Sequence, residues 1–300
     1  MQTVESAIAP SRNHHITLAA LWMGGALLSF AAMAVAGRQL SGQMSTFQIL
    51  FWRSLCGLVV VSLLLARYGW HKLGTQRFGL HLLRNVANFG GQFGWFYGIG
   101  FIPLAEVFAI EFTAPVWTSL LAVFFLGEKL TWPRRVAVVL GMAGVLIIVK
   151  PGSDIMHPAA LAVLLGAMGY SIAHMTTKKL AATDAPLTIL FYMMLIQLPL
   201  GLLPSLTHWT APTLAMLPAL AVIGLTGLSS HYCFTRALKL ADASVVVPID
   251  LLRLPLIAVV GAILYGESLS LSLAIGASLI LSGNLFSLLM ERRRQASKQA

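Results

Sequence analysis

The chain is written in apolar runs of about 20 residues, the length of helix that crosses a hydrocarbon core of about 30 Å, joined by short polar connections. Ten such runs can be drawn: 16–37, 45–66, 80–99, 103–126, 132–149, 158–177, 186–206, 213–235, 243–265 and 269–290. A polar tail, 1–15, precedes them and a basic tail, 291–300, follows. No connection has room for a soluble domain. A bilayer supplies no water to unpaired backbone groups, so each run is predicted to be a helix and the fold an all-α membrane protein of ten transmembrane helices. The first run carries small residues from Ala32 to Ala36, as a signal peptide does. It is longer than a signal core of about 7–15 residues and has a counterpart later in the chain, so it is read as a retained helix.

The runs repeat. Residues 105–130 and 244–269 both end in Gly-Glu-x-Leu; Glu128 and Glu267 lie 139 residues apart, as do Glu111 and Asp250. Ile49-Leu50-Phe51 returns 140 residues later as Ile189-Leu190-Phe191. The chain therefore reads as two five-helix repeats, 16–149 and 158–290, the unit of a repeat architecture. Five spans is an odd number, so the second repeat crosses the membrane in the opposite sense to the first. Inverted repeats with a site near the midplane characterise secondary transporters, and some channels are built this way too.

Composition and charge agree. Apolar residues make up 58% of the chain and charged ones 10%, with a mean hydropathy of +0.82, against about 25% charged in soluble domains. The net charge of +10 does not indicate nucleic acid, because there is no basic face interleaved with aromatics. Fifteen of the 20 Lys and Arg residues fall in segments on one side of the membrane. Arg38 and Lys150 fall on the other, and Arg53, Arg84 and Arg253 lie within spans. Positive charge marks the cytoplasmic side, so both termini are expected there, in an inner (cytoplasmic) membrane. Cys56 and Cys233 sit inside apolar runs and indicate no disulfide framework.

The third span carries Asn85, Asn88, Gln92 and Trp95 on one helical stripe, beside Gly91, Gly94 and Gly98. Amides find no partners in hydrocarbon, so the stripe is expected to face a cavity or neighbouring helices, and small residues admit a close helix neighbour. Glu111 in span four, Asp250 and Arg253 in span nine and Arg53 in span two are charges at membrane depth, each needing a partner, a proton or water. Asp250 and Arg253 share a face, three residues apart, between Pro248 and Pro255. Arg53 takes Glu111 as its expected partner. These charges read either as a substrate or proton site or as a structural ion-pair network. His174, one turn after Tyr170, and His231 are candidates for proton handling or for hydrogen bonding within the bundle. Gly127 and Gly266 are expected to cap spans four and nine, with Glu128 and Glu267 at the positive starts of spans five and ten. No metal-ligand spacing and no phosphate-binding loop is present, so neither metal, cofactor nor enzymatic activity is expected.

Spans four and nine read P-x-x-x-x-L-L-A-x-x-F-L-G-E from Pro115 and P-L-I-A-V-V-G-A-I-L-Y-G-E from Pro255. In this the chain resembles the EamA branch of the drug/metabolite transporter superfamily. The resemblance implies two five-helix halves around a cavity lined by spans 1, 3, 4, 6, 8 and 9, working by alternating access. It implies export of amino acids and related metabolites, or uptake of compounds such as riboflavin or S-adenosylmethionine. Arginines suit a carboxylate, acids an amine and ring faces an apolar part. The expected function is export of a zwitterionic amino-acid-like metabolite, including an opine-type metallophore, with Arg53, Asn88, Gln92, Trp95, Glu111, Tyr170, His174, His231, Asp250 and Arg253 contacting it. Glu111, Asp250 or His231 is the expected proton carrier. Uptake of a vitamin or nucleotide-like compound is the rival within the class, and a channel-like facilitator the rival outside it. A lipid-acting enzyme is disfavoured, since the buried polar groups are spread at mid-depth. The expected partners are a small-molecule substrate and the lipid bilayer, with no nucleic acid and with a homodimer left open.

Overall fold

A computed structural model describes residues 12–126, 129–150 and 157–299. All its regular elements are helical: α1 (Arg12–Ser41), α2 (Thr46–Tyr68), α3 (Phe78–Phe101), α4 (Leu104–Glu111), α5 (Ala114–Leu126), α6 (Trp132–Val149), α7 (Pro158–Leu180), α8 (Pro186–Ser205), α9 (Leu217–Leu240), α10 (Ala243–Leu251), α11 (Arg253–Tyr265) and α12 (Leu271–Gln299), with two 3₁₀ turns. Among the described residues nine stretches are long and apolar enough to cross a membrane. The third predicted span, α3, is not one of them; its buried face holds His81, Arg84, Asn85 and Gln92.

The helices start where local chemistry directs. Ser45 caps α2 by accepting from the Gln48 amide. Thr131 precedes α6, and prolines occupy the first turns of α6, α7 and α8, where a missing N–H costs nothing. Span four, drawn as one continuous run, is broken, and so is span nine, where Pro248 and Pro255 flank the buried charges. Pro115 cannot donate to the Glu111 carbonyl, nor Pro255 to that of Leu251, so α4 gives way to α5 and α10 to α11 beside them. Two polar side chains answer the first break: Asn284 Nδ2 of α12 donates to the Phe112 carbonyl at 2.7 Å and Ser171 Oγ of α7 to that of Ala114 at 2.7 Å. The breaks leave Glu111 and Asp250 at equivalent ends.

The halves interlock. The most extensive helix contacts are α3 with α7, α1 with α9, α6 with α12 and α2 with α8. Under the repeat, α1, α2, α3 and α6 correspond to α7, α8, α9 and α12, so exchanging the halves converts the α3–α7 contact into α9–α1 and returns the other two to themselves. That is the contact pattern of a pseudo-two-fold. The glycine stripe of α3 explains its closest member: a Cβ on Gly94 would strike the Ala162 carbonyl of α7. Backbone meets backbone there.

Candidate functional site

Between the halves lie two adjoining cavities of about 240 and 880 Å³, both lined by Glu111, Ala114, His174, Asp250 and Arg253, in the size range of small-molecule sites. The smaller, inner one is also lined by Arg53, Asn88, Gln92, Trp95, Tyr170 and His231. All ten predicted contact residues thus fall on one space. The larger cavity runs out past Thr118 and Ser119 to Arg134, Lys178 and Lys179, residues of the basic face. The site is open on that side.

Arg253, at the start of α11, is the centre of charge. Its guanidinium lies 3.3 Å from Glu111 Oε1 and 3.6 Å from Asp250 Oδ2, so both helix-break carboxylates share one cation. Phe30, Phe112 and Phe108 surround it at 4.4, 4.8 and 5.3 Å from their ring centroids, a favourable setting for a delocalised cation. Trp95 Nε1 donates to Glu111 Oε2 at 2.9 Å, which fixes the carboxylate from its other side.

Arg53 is arranged differently from expectation. The predicted pair with Glu111 does not form, because Arg253 occupies that carboxylate. Arg53 NH1 donates instead to Gln92 Oε1 at 2.8 Å. Among the described residues no carboxylate lies within ion-pair distance of Arg53, and its Nε has no hydrogen-bond partner, although the residue is only 4% exposed. It fits against α9 because residue 227 is glycine; a Cβ there would sit 3.0 Å from Arg53 Nε. The amides hold Gln92 in place: Gln92 Nε2 donates to Asn88 Oδ1 at 2.6 Å, and Gln197 Nε2 of α8 donates to the same oxygen at 2.9 Å. Asn85 is fully buried and pairs with Arg84, away from the cavity. His174 and His231 present exposed rings to the cavity.

Sequence reading did not single out Phe30, Phe108, Phe112 or Phe234, which look like any lipid-facing phenylalanine in an apolar run. The Gly-Glu pairs divide. Gly127 and Glu128 lie outside the described residues. Gly266 caps α11 in the left-handed conformation (φ 64°), as expected. Glu267 does not serve the start of α12, where Ser270 Oγ accepts from the Leu273 amide instead. Its Oε2 accepts from the Leu104 amide at the start of α4, and its Oε1 binds Arg38.

The EamA-like transporter family profile matches residues 17–150 and again 157–289. The chain belongs to the EamA-like transporter family. An S-adenosylmethionine uptake transporter of Rickettsia bellii is 27% identical over 277 residues, covering 92% of this chain and 95% of its own. A riboflavin transporter of Rhizobium johnstonii is 31% identical over 298 residues, covering 98% of both. A pseudopaline exporter of Pseudomonas aeruginosa is 28% identical over 225 residues, 74% of this chain and 78% of its own. A solved crystal structure superposes with a TM-score of 0.62 at 20% identity, over 92% of this chain and 98% of that one; it shares the fold. This EamA protein is a multi-pass membrane transporter.

Proposed function

We propose that this EamA transporter moves a compound with an α-amino-acid zwitterion head by alternating access, through the cavity around Arg53, Glu111, Asp250 and Arg253. One observation carries the reading: the cavity holds two arginines of opposite status. Arg253 is already claimed by two carboxylates, whereas Arg53 is buried with a single amide partner. A buried guanidinium without an anion is costly, and a substrate carboxylate, which can bind it bidentately, relieves the cost. Across the cavity, two carboxylates share one cation and can take the substrate's ammonium. Trp95, Phe96, Tyr170 and Phe234 offer ring surface for the rest of the molecule.

Export is the direction we propose, with both termini cytoplasmic, by analogy with the pseudopaline exporter among the relatives; the cavity open toward the basic loops is then the conformation that loads from inside. Uptake of S-adenosylmethionine is a second reading, favoured by similarity to the S-adenosylmethionine uptake transporters of Rickettsia. That compound has the same zwitterion head and a flat purine, so it would use the same contacts. The test is a thermal-shift screen of detergent-purified protein against amino acids, opine-type metallophores, S-adenosylmethionine and riboflavin. A ligand that binds only the folded state raises the melting temperature. The proposal expects a shift with zwitterions that is lost in Arg53→Met. A shift with riboflavin alone would overturn it.

A further inference from the structure

At the end of the cavity remote from its open mouth, four segments converge on one ion pair. Arg38, in the last turn of α1, binds Glu267 in the link between α11 and α12. The same guanidinium donates to the carbonyl of Ile99 and, at 2.8 Å, to that of Ile102, at the end of α3. Glu267 Oε2 accepts from the Leu104 amide of α4 at 2.9 Å. Tyr265 lies under the guanidinium, 5.3 Å from ring centroid to carbon, and its hydroxyl donates to the Val35 carbonyl at 3.3 Å. One residue earlier on α1, Gly37 lets the helix close on Ile99 and Phe96. The pair is only 20% and 10% exposed, whereas the opposite mouth is lined by Lys178 and Lys179, both exposed. The contacts bridge the repeats: Arg38 and Leu104 belong to the first matched segment, Glu267 to the second.

We propose that Arg38 and Glu267 are the outer gate of the transporter, positioning residues that hold it inward-facing and must separate for the cavity to open outward. The inference rests on the alternating-access reading above. Opening the outer end requires α1, α3 and α4 to part from the α11–α12 link, and among the described residues the polar contacts across that seam are those of Arg38, Glu267 and Tyr265. Breaking a charge-assisted pair shifts a two-state equilibrium toward the state that lacks it. A purely structural staple would instead lower stability without changing which side of the membrane reaches the site.

The experiment places a single thiol behind the gate. Met33, on the cavity wall and 6% exposed, is changed to cysteine in a Cys56→Ser, Cys233→Ser background. A membrane-impermeant maleimide is applied to spheroplasts and, separately, to inverted vesicles. With the gate intact, labelling proceeds from the inner side only. In Glu267→Gln, and independently in Arg38→Gln, labelling from outside accelerates by about tenfold or more, with Arg38→Lys in between. Outside rates within about twofold of the intact gate in both variants overturn the gate. So does failure of both to accumulate as folded protein on size exclusion, which assigns the pair to the fold itself. Outside-only labelling of the gate-intact protein refutes the inward-facing orientation, a separate failure from that of the gate.

Discussion

The two cavity arginines are predicted to respond very differently to the same substitution. Arg253→Met removes the cation 3.3 Å from Glu111 and 3.6 Å from Asp250 and leaves two neighbouring carboxylates partly buried without it. Removing one partner of a buried pair costs about 3–5 kcal/mol. Methionine keeps apolar contact with the three phenylalanines but not the cation–ring attraction. A loss of that size corresponds to a fall in melting temperature on the order of 10 °C. Arg53→Met also deletes a buried guanidinium, yet no carboxylate is orphaned; only Gln92 Oε1 loses a donor, at about 1–3 kcal/mol, offset by relief of the desolvated charge. The sum is near zero. Melting of detergent-purified protein without ligand, followed by intrinsic fluorescence, reads both. Adding Glu111→Gln to Arg253→Met should restore part of the loss, since it removes one of the two orphaned charges. The reasoning is refuted if Arg53→Met destabilises as much as Arg253→Met, or if Arg253→Met melts within about 2 °C of the parent.

Other outcomes follow from single contacts. Gly94→Ala drives a Cβ into the Ala162 carbonyl and should cost about 1–3 kcal/mol by overpacking, seen as a lower melting temperature. Asn284→Leu strips the Phe112 carbonyl of its side-chain donor at the break in span four; a loss of about 1–3 kcal/mol is expected, again by melting. Burial pushes the Asp184 carboxyl up, but hydrogen bonds from Thr75, His81 and Thr183 outweigh it and hold the group below its ordinary value. Its folded pKa being below the unfolded one, its contribution is complete above the unfolded value of about 3.9 and is lost as pH falls below it. Melting temperature in that acid window should fall less steeply in Asp184→Asn; an unchanged slope would refute the assignment.

The spans were legible because an apolar run of membrane length has few alternatives to a helix. Their ends were less so: α1 begins at Arg12 and α12 runs to Gln299, since water does not oblige a helix to stop where the bilayer does. The prolines that break spans four and nine were visible, yet continuity was expected in span four because Pro115 alone does not say whether a helix kinks or divides. Charge in hydrocarbon identified Arg53, Glu111, Asp250 and Arg253. Which charges meet depends on helix facing, so the sequence favoured Arg53 with Glu111 where the fold joins Glu111 to Arg253. Arg38 and Glu267 are 229 residues apart; only the folded repeats bring them together.

Substrate counterflow in proteoliposomes puts the transport proposal at greatest risk. Vesicles loaded with an unlabelled compound are diluted into a trace of its labelled form, for an amino acid, an opine-type metallophore, S-adenosylmethionine and riboflavin in turn. A carrier with the proposed site accumulates label transiently for at least one zwitterion, saturably, and Arg53→Met abolishes the overshoot while remaining folded. Equilibration without overshoot would indicate a channel-like facilitator. An overshoot for riboflavin alone, or one that survives Arg53→Met, would contradict the zwitterion site.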